Sequence, residues 1–307
     1  MLVANPITNQ ILDHPILEKM GVEWAVKRLD QVHPGVSGNK FFKLKNNLIQ
    51  AQKNPSIPIL TFGGAYSNHI QATATAANAL NLKSIGVIRG EETLPLNPTL
   101  EAARQKGMRL HYLNRTDYQK KTSPEVLQEL SDQFGEYYLI PEGGTNNLAV
   151  MGTAEILEEE DKKFNAVTVS IGTGGTVAGL VKSLNSTQKL LGFSALKGEF
   201  IHTEIRLLLE KFNISIKGEL EIETGYHFGG YANYRQPLIE FIWWFYESFG
   251  IPLDPIYTGK HFFGIWDKIE KGVFAKGTKI LSIHTGGLQG NAGFTERTGI
   301  KLPPLSG

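Results

Sequence analysis

Three lysines occupy a helix start where acidic residues would be expected. In VSGNKFFKLKNNLIQ, residues 36–50, Ser37, Gly38 and Asn39 have the types of a turn entering a helix N-terminus. The apolar spacing of LKNNLIQAQ predicts a helix that ends near Pro55. Its first turns hold Lys40, Lys43 and Lys45. A helix N-terminus carries partial positive charge, so each cation there is unfavourable by roughly 0.3–1 kcal/mol. A lysine that is desolvated, or condensed with an aldehyde as an imine, does not oppose the helix in this way. Charged neighbours of such a lysine can complement an anion. The plainer reading is three solvated lysines on a helix surface.

An anion site is legible elsewhere. SIGTGGTVAGL, residues 170–180, combines a β-branched strand, a loop of successive backbone N–H donors and a helix whose positive end points back at that loop. Gly172, Thr173, Gly174, Gly175 and Thr176 are the candidate phosphate-binding residues. The dinucleotide pattern GxGxxG fails because Val177 stands at its third glycine, and the following strand, LLGFSAL, ends without an acid to hold a ribose. GxxxxGK[ST] is absent, so the loop suits a lone phosphate monoester. A phosphate monoester that also bears an aldehyde for a lysine is pyridoxal 5′-phosphate. Metal and serine-hydrolase templates are missing: there is no HExxH, GxSxG or EF-hand loop, and the eight histidines show no ligand pairing. Lone histidines such as His69 and His284 read as structural.

The elements that must hold these groups follow an α/β pattern. From residue 57 onward short β-rich runs alternate with helical stretches, the mark of βαβ units and a largely parallel sheet. Four of the predicted strands end in a double glycine: Gly63-Gly64, Gly143-Gly144, Gly174-Gly175 and Gly286-Gly287. In open parallel sheets the carboxyl edge is where ligands bind, and glycine there allows tight turns and close backbone approach. The chain has 307 residues, 41% hydrophobic, and 31 basic against 30 acidic side chains, so nothing favours nucleic acid or membrane as a partner. The absence of cysteine excludes thiol chemistry and disulfides. The N-terminus shows no export signal, which makes the cytoplasm the expected location. FIWWF, residues 241–245, is too short to span a bilayer and reads as core or subunit interface.

Taken in order, GNKFFKLK, GGAYSNH, PEGGTN, GTGGT, YTGK and HTGG resemble the 1-aminocyclopropane-1-carboxylate deaminase and D-cysteine desulfhydrase family. That family lies within the tryptophan synthase β-subunit-like, fold type II pyridoxal phosphate enzymes. The resemblance spans about residues 20–290. It implies a two-domain, three-layer α/β/α fold, with residues 1–44 and 155–307 forming a large cofactor-binding domain and residues 45–154 a small mobile one. It further implies that Lys40 binds the cofactor aldehyde and shuttles protons, that Lys43 lies near the phosphate, and that Asn68 meets the ring 3′-oxygen. Ser67 would act on the substrate as nucleophile or proton-transfer group, and its type equally suits a helix N-cap. Tyr257 would face the substrate and Thr285 the pyridine nitrogen. A homodimer and a small amino-acid substrate are expected on the same ground.

Ser37, Phe42 and Tyr66 depart from the family pattern, which bears on substrate preference rather than on any proposed catalytic group. Cyclopropane deaminases resemble one another in carrying glutamate and leucine where this chain has Thr258 and Thr285. Opening a cyclopropane ring needs a strong electron sink, which a carboxylate near the pyridine nitrogen favours. Loss of thiolate from cysteine needs less. Threonine therefore points to D-cysteine desulfhydration, with cyclopropane deamination as the nearest alternative and a non-catalytic cofactor-binding protein as an alternative of another class.

Overall fold

The computed structural model describes residues 2–305. Ten strands are ordered β1 (Asn9–Leu12), β2 (Glu23–Lys27), β3 (Ile59–Gly63), β4 (Ser84–Arg89), β5 (Met108–Leu113), β6 (Tyr138–Ile140), β7 (Ala166–Ile171), β8 (Lys189–Ser194), β9 (Glu219–Glu223) and β10 (Lys279–Ile283). Twelve α-helices separate and flank them: α1 (Pro15–Met20), α2 (Asn39–Ala51), α3 (Asn68–Ala79), α4 (Pro98–Gln105), α5 (Arg115–Gln119), α6 (Pro124–Phe134), α7 (Asn147–Thr153), α8 (Gly175–Ser183), α9 (Phe200–Lys211), α10 (Gln236–Phe249), α11 (Thr258–Glu270) and α12 (Gly290–Thr298).

The strands form two sheets. The smaller runs β5-β4-β3-β6 and is parallel throughout. The larger runs β1-β2-β10-β7-β8-β9 and is parallel except for β1, which pairs antiparallel with β2. The α/β expectation holds, and the seven strands read from alternating runs after residue 57 are β3 to β8 and β10. Strands β1, β2 and β9 were not legible in the sequence. Neither β1 nor β2 follows the strand–glycine–helix pattern, and β9 is a charged edge segment, ELEIE, whose alternation is finished by pairing on β8.

Two layers of packing place the site. On one side of the large sheet, β7 contributes Val167, Val169 and Ile171 to a core shared with α8, α9 and α2. That core continues through Ala72 and Ala76 of α3 and Ile140 of β6, so α2 and its neighbours lie between the two sheets. The division expected at residues 44 and 45 falls inside α2. On the other side, Trp24, Phe245, Phe262 and Ile280 pack with α10 and α11. Here Phe241, Ile242 and Phe245 of the FIWWF run are buried, and Trp244 lies 4.5 Å from the Trp266 ring. This run is mainly core, each buried aromatic contributing on the order of 1.5–3 kcal/mol. No described helix is long and apolar enough to cross a membrane.

Candidate active site

The N-terminus of α2 is docked onto the loop after β10. Gly38 has φ +66°, and a Cβ added there would lie 2.0 Å from the Thr285 carbonyl oxygen, so only glycine allows the approach. The Asn39 backbone N–H donates to that same carbonyl at 3.1 Å. Lys40 follows, and its Nζ donates to Asn39 Oδ1 at 2.8 Å. Burial lowers the Lys40 pKa to about 8, and the negative charge of Asp254 opposes the shift. At neutral pH an appreciable fraction of this amine is therefore unprotonated and nucleophilic.

Lys43, one helical turn on, is buried and faces oxygens from two distant segments. Its Nζ donates to Gly143 O at 2.8 Å, Thr173 Oγ1 at 3.2 Å and Thr145 Oγ1 at 3.3 Å. Thr145 and Thr173 are themselves 2.8 Å apart through their hydroxyls. Burial, then the charge of Lys40, holds the Lys43 pKa well below the usual lysine range. A phosphate placed here would offset both effects. Helix α8 begins at this point after Gly174, whose φ is +76°. A Cβ on Gly175 would meet Thr145 Oγ1 at 2.8 Å and Lys43 Nζ at 3.1 Å. Loop, lysine and helix N-terminus therefore make a cradle in which the donor set matches a phosphate monoester. Lys45 lies apart, paired with Glu155.

The remaining residues close the cleft from both sheets. Ser67 caps α3, its Oγ accepting from Ile70 N at 3.3 Å. Asn68 reaches the loop after β10: a Cβ on Gly287 would lie 2.8 Å from Asn68 Nδ2. On the large-sheet side the Tyr257 ring lies against Gly172, whose added Cβ would meet Tyr257 Cε1 at 3.2 Å. Tyr231 packs on Tyr257 with ring centroids 5.9 Å apart, and burial followed by Tyr231 pushes the Tyr257 phenol well above its usual pKa. Thr285 pairs with Ser170, hydroxyl to hydroxyl at 2.9 Å. The residues marked from the sequence thus converge where α2, α3, α8 and the start of α11 meet. The groups fit pyridoxal phosphate: a nucleophilic lysine, a phosphate cradle and flanking hydroxyl and amide groups.

Several members of this site were not singled out from sequence. Thr145 stands within PEGGTN with no sequence signal for a part in the phosphate cradle, and Asn39 has in sequence only the type of a turn residue. Ser170 and Tyr231 carry no motif signal of their own. Asp254 is nearly fully buried; its Oδ1 accepts from the N–H groups of Ile256 (2.8 Å) and Tyr257 (2.7 Å), and its Oδ2 from Thr258 N (2.9 Å) and Oγ1 (2.5 Å). Thr258 is likewise buried, with its hydroxyl committed to Asp254. His284 is structural as expected, bonded to Pro252 O at 2.8 Å and to Gly286 N at 3.2 Å. His69 is only half satisfied: Nε2 bonds Thr61 Oγ1 at 2.8 Å, whereas Nδ1 is buried without a partner. An open cavity of about 670 Å³ along α9 and β9 contains none of the lysines or the glycine loop. Among the described residues no cluster of metal-ligating side chains occurs.

Comparison with known proteins agrees with this geometry. The model of the family "Pyridoxal-phosphate dependent enzyme" matches residues 8–286. A candidate 1-aminocyclopropane-1-carboxylate deaminase of Pyrococcus horikoshii is 32% identical over 286 residues, covering 90% of this chain and 87% of that protein. The bifunctional D-cysteine desulfhydrase/1-aminocyclopropane-1-carboxylate deaminase, mitochondrial, of Arabidopsis thaliana is 32% identical over 296 residues, covering 88% and 73%. The crystal structure of a 1-aminocyclopropane-1-carboxylate deaminase homologue superposes with a TM-score of 0.81 at 28% identity, covering 97% of this chain and 94% of that one. With the lysine, the phosphate cradle and the fold type II architecture in place, the chain belongs to the pyridoxal-phosphate dependent enzymes, in the family of 1-aminocyclopropane-1-carboxylate deaminase and D-cysteine desulfhydrase.

Proposed function

We propose that this enzyme catalyses β-elimination from D-cysteine, giving pyruvate, hydrogen sulfide and ammonia. The observation that carries the choice is the hydroxyl pair Thr285–Ser170 at the position expected for the pyridine nitrogen's partner. The nearby carboxylate, Asp254, has both oxygens committed to the start of α11, with no free acceptor left for a ring nitrogen. A neutral hydroxyl stabilises a ring proton less than a carboxylate does, which suits a reaction whose leaving group itself accepts the electron pair.

When bound, pyridoxal phosphate supplies an electrophilic aldehyde and an electron sink. Lys40 Nζ, depressed to about 8, takes the proton from the substrate α-carbon and holds it as an ammonium against Asn39 Oδ1. Lys43, Thr173, Thr176 and the N–H groups of Gly174 and Gly175 would hold the phosphate. Asn68 would orient the ring oxygen. Ser67, at the N-cap of α3, lies where a substrate carboxylate would meet a helix N-terminus, and its hydroxyl is the second proton-transfer group. Tyr257, kept protonated by its burial, donates a hydrogen bond toward substrate. Sulfide leaves as the C–S electron pair departs with sulfur, and the released aminoacrylate takes up water to give pyruvate and ammonia.

Cyclopropane deamination is the second reading, favoured by the names of the relatives above. Steady-state assays of sulfide release from D-cysteine against 2-oxobutanoate from the cyclopropane substrate separate the two. Higher kcat/KM for D-cysteine is expected; preference for the cyclopropane would overturn the assignment. The small sheet with its helices, about residues 45–154, is proposed to close over substrate, in a cytoplasmic homodimer.

A further inference from the structure

Asn39 occupies a junction of which the roles above use one end only, the Oδ1 that faces Lys40. It is 8% exposed, its backbone N–H is held by Thr285 O at 3.1 Å, and both ends of its amide are engaged. Oδ1 accepts from Lys40 Nζ at 2.8 Å, and Nδ2 donates to Thr176 Oγ1 at 2.8 Å. The lysine end decides the direction of this chain of hydrogen bonds. A protonated amine only donates, so the amide oxygen must face Lys40 and the NH2 must face Thr176. The Thr176 hydroxyl consequently accepts on that side, and its one proton is left for another acceptor. Thr176 lies in the first turn of α8, at the phosphate cradle.

We propose that Asn39 is a positioning residue that couples the two ends of the cofactor site, holding the Lys40 amine and, through the same amide, turning the Thr176 O–H toward the phosphate. This rests on pyridoxal phosphate lying with its aldehyde at Lys40, and it is independent of which amino acid is the substrate. One residue thus joins three segments: its side chain links the adjacent α2 lysine to the α8 threonine, and its backbone N–H holds the β10 loop. The arrangement lets the charge state of Lys40 and the grip on the phosphate depend on each other.

The near-isosteric change Asn39→Asp tests it. Aspartate still accepts from Lys40 and adds a negative charge, but it has no N–H for Thr176, whose proton then turns back onto the carboxylate. Two readouts on cofactor-free protein follow, neither of which is activity. Reductive methylation of residue 40, followed by peptide mass mapping across pH, should show its midpoint moving up by about one pH unit. The ratio of affinities for pyridoxal phosphate and for pyridoxal, which lacks the phosphate, should fall at least tenfold. Thr176→Val should lower that ratio similarly without moving the midpoint of Lys40, and it serves the test if the aspartate variant does not fold. An unchanged ratio in either variant, or a midpoint that fails to rise in Asn39→Asp, overturns the coupling. If borohydride does not fix the cofactor to residue 40 in the unaltered protein, the cofactor placement fails instead.

Discussion

At the scale of single residues, the three lysines that look misplaced in sequence turn out to have different partners. Lys45 forms an ion pair with Glu155, while Lys43 points into a ring of three oxygens contributed by residues about a hundred or more positions away. Because a bound phosphate would restore the charge on Lys43 in that cradle, Lys43→Ala should weaken pyridoxal phosphate binding by roughly 10- to 100-fold, the size of a lost charge-assisted hydrogen bond. Equilibrium dialysis checks this, and unchanged affinity would remove Lys43 from the phosphate site. A second buried lysine, Lys260, donates to Gly230 O at 2.8 Å, and burial lowers its pKa to about 8 despite the opposing charge of Asp254. Its folded pKa lies below the unfolded value of 10.5, so between about pH 8 and 10.5 the unfolded chain binds more protons. Stability attributable to this group therefore rises with pH across that window, and its cost is fully present below pH 8. Denaturant titrations from pH 8 to 9.5 should show a shallower upward slope for Lys260→Met than for the unaltered protein; equal slopes would contradict the shift.

At the scale of elements, function depends on how helix starts are built. Helix α11 begins at Thr258 with Asp254 collecting four donors, and this same cap fixes Tyr257 against Gly172. Replacing Asp254 by alanine leaves buried N–H groups without an acceptor. A loss of about 3 kcal/mol or more is expected, read by urea denaturation, along with a weakened role for Tyr257 seen as a fall in kcat. A loss below about 1 kcal/mol would mean that the cap is not needed. Helix α2 begins with Gly38 pressed onto the Thr285 carbonyl at positive φ. Gly38→Ala should therefore disturb cofactor retention as well as stability, because the Cβ pushes Lys40 and Thr285 apart. Full cofactor occupancy in a stable Gly38→Ala protein would show that the contact is slack. Caps, positive φ and close backbone approach are local devices, and their glycines and short polar residues were visible in GNK, SNH and HTGG. What each one docks against was not.

At the scale of the whole molecule, two sheets, parallel but for the edge strand β1, bring their carboxyl edges to one cleft, and the residues there divide between them. Ser67 and Asn68 come from the small-sheet side; Tyr257, Thr285 and the phosphate loop belong to the large sheet. Lys43 joins the two through Gly143 and Thr173. Such a site tightens if the small-sheet side closes over substrate and excludes water from a carbanionic reaction. Small-angle scattering with a saturating unreactive amino acid should show a smaller radius of gyration than the cofactor-loaded protein alone. Identical profiles would count against closure.

Sequence alone determined the α/β class and, through the resemblance carried by its ordered motifs, the family, and it marked Lys40 and the glycine-threonine loop as candidates, because these depend on residue types at short spacing that local backbone geometry turns into a turn, a cap or a helix start. It did not determine strands β1, β2 and β9, whose pairing supplies the regularity that their own residues lack. Nor could it show that Thr258 is committed to Asp254, or that Asn39 bridges Lys40 and Thr176. Those assignments compare hydrogen-bond partners separated by four residues in one case and 137 in the other. Only the folded chain decides such competitions, since burial leaves each donor to the nearest acceptor and removes water as the alternative.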